Sequence, residues 1–143
     1  LHDEFIYRSL VTSHNPNHHI YNVDAGTSLP AVVIEMLVSS RPGVIEFLPA
    51  LHDALPHGSI TGIECRTQAT VERLEWHLPE RVVEATLRSR VDQTVTVMLR
   101  RGIESCTASG ETMTGAGRHG SISRDVALRA NESVDLRLTW VTA

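Results

Sequence analysis

The apolar residues of this chain change their spacing once, near Val44, and that change divides the sequence into two kinds of structure. Before it, apolar residues recur three and four apart, the period of a helix with one buried face. After it they recur at every second position, the period of a strand with one buried face. One element cannot satisfy both periods. Residues 1–43 are therefore predicted to be helical with a connecting loop, and residues 44–143 to be an all-β unit.

Within the second part, strands are predicted over 44–48, 60–67, 70–77, 81–89, 94–99 and 133–140. The last alternates most completely: Val134, Leu136, Leu138 and Trp140 share one face, and Ser133, Asp135, Arg137 and Thr139 the other. Ser121-Ile122-Ser123 and Val126-Ala127-Leu128 also read as β. Short strands separated by turn residues predict an antiparallel β-sandwich. Trp76 and Trp140 both lie on faces predicted to be buried.

The first part reads as helix, loop, helix. Phe5, Ile6, Leu10 and Val11 mark the end of one helix, which Ser13-His14-Asn15-Pro16-Asn17 breaks. Pro16 pushes Asn15 out of the α region, and asparagine favours turns. A loop is predicted through Gly26. The second helix is predicted to start at Thr27 or Ser28 as N-cap, with Pro30 in its first turn. Leu29, Val32, Val33, Met36, Leu37 and Ser40 form its apolar face, and Arg41-Pro42-Gly43 its stop. Two such helices are too few to bury both of their apolar faces. The chain is accordingly expected to be a piece of something longer, with a larger helical domain upstream.

Charge and composition exclude several classes. The net charge is −4 and no basic face is implied, so neither nucleic acid nor an anionic membrane is expected as a partner. No apolar run approaches the ~20 residues of a spanning helix. All 13 basic residues are arginine, which removes Schiff-base and P-loop lysine chemistry. Such usage fits a GC-rich bacterial genome, and either the bacterial cytoplasm or secretion suits the composition. Cys65 and Cys106 are far apart and neither belongs to a C-x-x-C pair, so no zinc or dithiol site is implied.

Five features could carry chemistry. Gly115-Ala116-Gly117-Arg118-His119-Gly120 matches G-x-G-x-x-G, but β-type sequence follows it where a dinucleotide site needs a helix, so a hairpin loop is expected. His14, His18 and His19 surround Pro16 in a loop. With no carboxylate pattern beside them they predict no metal site, and no cofactor is expected. Asp24 is a candidate general base or a companion of the helix N-terminus. Glu35 falls at the polar edge of the apolar stripe. Asn131-Glu132-Ser133 is an N-glycosylation sequon, relevant only on a eukaryotic secretory route.

Several segments together resemble glycoside hydrolase family 95. Tyr21-Asn22-Val23-Asp24-Ala25-Gly26-Thr27-Ser28, followed by Glu35-Met36-Leu37, resembles that family's F-Q-I-D-G-N-F-G and A-E-M-L segments at the same spacing. Ile45-Glu46-Phe47-Leu48-Pro49-Ala50-Leu51 resembles its L-L-P-A-L-P. Leu55-Pro56-His57-Gly58-Ser59-Ile60-Thr61-Gly62-Ile63 resembles its W-P-x-G-x-V-x-G-L. The resemblance covers roughly residues 1–100. It implies that residues 1–43 are the last hairpin of an (α/α) six-hairpin catalytic barrel and that 44–143 are a C-terminal β-sandwich domain. It implies an inverting α-L-fucosidase acting on terminal α-linked L-fucose or L-galactose of oligosaccharides. By the same resemblance Asp24 is the catalytic base, and His18 and Asn22 are substrate-binding residues. Gly26 and Ser28 depart from the family's asparagine and glycine, and no residue here matches its catalytic acid. An inverting reaction needs two carboxylates, so this chain alone is expected to be inactive. The alternative is a non-catalytic β-sandwich that binds carbohydrate or serves as a structural module.

Overall fold

The computed structural model describes residues 13–15, 18–21 and 23–141. The chain divides into two compact units, Leu1–Glu35 and Met36–Ala143. The helix predicted to end near Val11 lies outside the described residues.

In the first unit, β1 (Ser13–Asn15) and β2 (His18–Tyr21) form a short antiparallel hairpin where a loop was expected. Asn15 stands opposite His18 and Ser13 opposite Tyr21. Helix α1 (Val23–Leu37) follows at once. It begins earlier than its predicted caps. The Thr27 hydroxyl donates back to the Val23 carbonyl at 2.9 Å, so Thr27 lies within the first turns and is not the cap. Pro30 sits inside the helix rather than at its start. Lacking an N–H, it leaves the Gly26 carbonyl without its usual helical donor.

The helix also ends earlier than expected. Ser40 lies in β3 (Val38–Arg41), not on α1. The last helical carbonyls turn to other donors: Leu48 N–H donates to Leu37 O at 2.7 Å and Ala50 N–H to Met36 O at 3.2 Å. Val38 is buried, and β3 pairs antiparallel with β4 (Val44–Phe47). Arg41-Pro42-Gly43 is thus a hairpin turn and not a helix stop. Gly43 has φ +76°, a conformation glycine adopts without steric cost.

The second unit is the predicted sandwich. Its further strands are β5 (His57–Glu64), β6 (Ala69–His77), β7 (Val82–Ser89), β8 (Gln93–Leu99), β9 (Ile103–Ala108), β10 (Glu111–Thr112), β11 (Ser123–Leu128) and β12 (Ser133–Trp140). One sheet has the order β10-β9-β12-β7-β6-β5 and the other β11-β8-β4-β3. Every neighbouring pair is antiparallel except β4 and β8, which run parallel. The core lies between the sheets. Leu74, Trp76, Val83, Leu87, Leu136, Leu138 and Trp140 come from the larger sheet; Ile45, Phe47, Val95, Val97, Leu99, Val126 and Leu128 come from the smaller. As predicted, Leu136, Leu138 and Trp140 are buried on one face, with Val134 half-buried beside them.

Two glycines of the Leu55–Ile63 segment have separate jobs. On β6 the inward residues are Ala69 and Val71, then Leu74 and Trp76, so the alternation slips by one residue. A bulge between Val71 and Arg73 absorbs the slip. On β5 the half-buried residues Ile60 and Ile63 slip in the same place, at Gly62, whose φ is +73°. Gly58 instead stands opposite Trp76, on the edge strand. A Cβ there would lie 2.4 Å from Trp76 Cζ2 and 2.8 Å from Cη2. The indole covers the glycine backbone, a recurrent way of protecting a bare edge residue. The ring is pinned, because Trp76 Nε1 donates to Leu55 O at 3.0 Å. Gly58→Ala is expected to cost about 1–3 kcal/mol by overpacking. Thermal unfolding of Gly58→Ala, alone and combined with Trp76→Leu, checks this. The loss should shrink in the double variant, because the clash partner is gone.

Candidate functional site

Two positions singled out in the sequence, His18 and Asp24, flank the β2–α1 junction. His18 is the first residue of β2. Asn22 lies outside the described residues. Asp24 is in the first turn of α1, not in the loop expected for it, and its side chain is exposed. A carboxylate there meets the positive end of the helix macrodipole. A solvent-accessible carboxylate is what a general base requires. Glu35 lies two residues before the end of α1 and is half-buried, while Val32 and Val33 on the same helix are about half exposed. The apolar face predicted for this helix is therefore uncovered at Val32 and Val33, whereas Leu37 packs against the sandwich core.

The outer face of the six-stranded sheet is polar. Glu75 takes a hydrogen bond from His77 and lies against Arg73; these two neighbours hold its carboxyl below the usual carboxylate range. Arg137 pairs with Glu84 at 3.4 Å, and the Thr86 hydroxyl donates to Asp135 at 2.7 Å. Sugar-binding sheet faces use flat exposed rings, because aromatic faces stack on apolar patches. Among the described residues whose exposure is known, Phe47, Trp76 and Trp140 are all buried.

The other face of the smaller sheet carries an acidic residue no sequence pattern had flagged. Glu46 is only 6% exposed, and Arg100 Nε donates to its Oε1 at 2.5 Å. At the end of the sandwich where β6, β8 and β12 finish, a groove of about 520 Å³ opens between two turns. Arg81, Arg100 and Arg101 line it with Leu78, Pro79, Trp140 and Val141. The Arg101 guanidinium lies over the Trp140 ring, 5.2 Å from its centre. The dipeptide Arg100-Arg101 was the available signal. Its convergence with Arg81 and Trp140 could not be read from positions 20 and 40 residues away.

The remaining motifs are structural. The glycine-rich segment leads into strand β11 but is not the hairpin loop expected, because β10 and β11 lie in different sheets and the segment crosses between them. Gly117 bridges Gly120, and the buried Ser123 hydroxyl accepts from the His119 N–H at 2.9 Å. Arg124 then ties the sheets together, donating to Ser123 O at 2.7 Å and Ile103 O at 2.9 Å. Cys65 and Cys106 are buried and not joined, and burial pushes the Cys106 thiol up. Asn131 occupies a turn at φ +64°, and Ser133 of the sequon donates to Glu72. Among the described residues no group of three His, Cys, Asp or Glu is placed to hold a metal.

The fold can be set beside known proteins. No curated protein matches the chain. A solved structure of a β-L-arabinofuranosidase of glycoside hydrolase family 127 from Geobacillus stearothermophilus T6 is similar at 14% identity and a TM-score of 0.52. The match covers 80% of this chain and 18% of that one, so the chain spans under a fifth of that protein's length. At this identity the likeness is one of fold. The sequence model of the C-terminal domain of glycoside hydrolase family 95 matches residues 39–138, from within β3 to within β12. The chain therefore belongs to glycoside hydrolase family 95, whose C-terminal domain is the sandwich described above.

Proposed function

We infer that this chain is the carboxyl-terminal portion of an inverting α-L-fucosidase-like glycoside hydrolase acting on terminal α-linked L-fucose or L-galactose of oligosaccharides. In this reading residues 1–43 close an upstream helical catalytic domain, and the sandwich braces it. Asp24 is the general base; His18 and Asn22 contact the sugar. The catalytic acid comes from upstream, so the isolated chain is inactive. The observation that carries the reading is the continuity of the motif with the family domain: the Asp24 segment runs through α1 directly into the first strand of the family 95 sandwich. The exposed Val32 and Val33 support a helical neighbour, because such residues on a helix favour burial against another helix.

The chemistry follows from the two-carboxylate requirement. A base on one face of the sugar activates water while an acid on the other protonates the leaving oxygen. Asp24, exposed at a helix N-terminus, suits the first role. The non-catalytic alternative, a sandwich that binds carbohydrate by stacking it on exposed rings, is weaker, because the two tryptophans lie in the core.

The test is an assay of the whole protein on an α-1,2-linked fucosyl-galactoside and on a β-L-arabinofuranoside. Proton NMR reads the anomer released first. Release of β-L-fucose is expected. Cleavage of the arabinofuranoside alone, or first release of α-L-fucose, would overturn the assignment.

A further inference from the structure

We propose that the groove between the β6–β7 and β8–β9 turns binds the carboxylate of an acidic sugar, a uronic acid residue, at a site separate from the Asp24 segment. The site is built from two turns and the end of β12. Arg81 comes from the first turn, Arg100 and Arg101 from the second, and Trp140 and Val141 from the strand end. Leu78 and Pro79 form the opposite wall.

Charge selects the ligand. Three arginines line one groove of about 520 Å³, within the ~300–1,000 Å³ typical of small-molecule sites. The acidic partners of Arg100 and Arg101 do not fill it. Glu46 is buried and engages Arg100 through Nε, leaving the arginine side chain 67% exposed. Asp53 stands 3.7 Å from Arg101, but its side chain is 89% exposed and so offers little enclosure. The arginine fork matches a carboxylate in a bidentate arrangement, which a lysine or a neutral donor cannot copy.

Shape selects the rest. Arg101 is held in place by its stacking over Trp140, so part of the ordering cost of binding is already met. The walls beside the arginines are apolar: Leu78, Pro79 and Val141. A ligand that suits both needs an anionic group on a compact body with C–H faces, which a uronic acid provides and an inorganic anion does not. The choice of a sugar rests on membership of a glycoside hydrolase family, not on the fucose assignment. Binding is read without turnover, so the two ideas fail separately.

The test uses the 143-residue chain and the two tryptophan indole signals in a proton–nitrogen correlation spectrum. Glucuronic acid, glucose and sodium sulfate are titrated at constant ionic strength. Glucuronic acid is expected to shift the Trp140 indole and the Gly102 amide with a Kd on the order of millimolar. The Trp76 indole, in the core under Gly58, should stay still. Arg101→Gln and, separately, Arg81→Asn should each weaken binding several-fold, and the pair at least tenfold. Asparagine is chosen because Arg81 sits at φ +56°, which asparagine tolerates. Arg100 is left intact because Glu46 depends on it. Melting curves identify a variant that has lost its fold; Arg81→Asn, in an exposed turn, keeps the test open if Arg101→Gln unfolds. Equal binding of glucose would overturn the proposal. So would sulfate binding as tightly as glucuronic acid, or unchanged affinity in folded variants.

Discussion

Leu136→Ala is expected to lower the unfolding free energy by about 2–5 kcal/mol, toward the upper end of that range. The side chain is 2% exposed and lies in the middle of the larger sheet. Its cross-strand neighbours explain the size of the effect. Leu136 stands opposite Ala85 on β7 and opposite Ala108 on β9. It is the one large side chain in a row of three, and it fills the space above two methyl groups. Removing it leaves three alanines side by side. Neither neighbour has a rotamer with which to move into the gap, so the cavity persists, and persistent cavity volume is what raises the cost of such truncations. The melting temperature should fall on the order of 10 °C, at roughly 2–4 °C per kcal/mol for a chain near this size. Arg137→Ala, one residue along on the exposed face, should stay within about 0.5 kcal/mol. Denaturant unfolding of both variants decides the matter. Equal, small losses would show that the two faces of β12 had been interchanged.

That face was legible in the sequence because β12 is long and buried on one side only. A strand of that kind forces strict alternation, since a slip by one residue would turn every apolar side chain to water. The same logic shows why β5 and β6 were legible only as strands. Their alternation breaks at Gly62 and between Val71 and Arg73, where two matched irregularities shift the phase. A bulge is specified by the partner strand, and the partner is not visible along one stretch of sequence.

The start of the sandwich was misread for a related reason. Met36 and Leu37 continue the helix face at i+3 and i+4 from Val33, Val38 suits a strand beginning, and Ser39 and Ser40 favour neither strongly. Pairing with Val44–Phe47 decided for the strand, a tertiary preference over a local one. Arg41-Pro42-Gly43 fits a helix stop and a hairpin turn equally, because both use glycine at positive φ. The pairing of Glu46 with Arg100 and the arginine groove were not legible at all. Each joins residues from distant strands, and charge counting along the chain gives no hint of where side chains converge.

Asp24→Asn carries the largest expected functional effect. In the whole protein of which this chain is the proposed part, it should reduce kcat by about 100- to 10,000-fold, the usual worth of general-base assistance. KM should change little, because asparagine keeps the shape and one acceptor oxygen, so ground-state contacts survive. What it loses is the ability to take a proton from the attacking water. The position of Asp24 in the first turn of α1 supplies the competing explanation in quantitative form. A carboxylate that serves only the helix macrodipole is worth about 0.3–1 kcal/mol of stability, and its removal would leave turnover intact. The two roles therefore move different quantities. A large fall in kcat with a nearly unchanged melting temperature identifies the base. A slightly lowered melting temperature with unchanged kcat identifies a helix companion, and the base must then be sought elsewhere. Asp24→Glu separates geometry from charge. It preserves the ionised group but moves it by about one methylene, and because a misplacement of about 1 Å can cost on the order of 100-fold, it too should be slow if Asp24 positions the water.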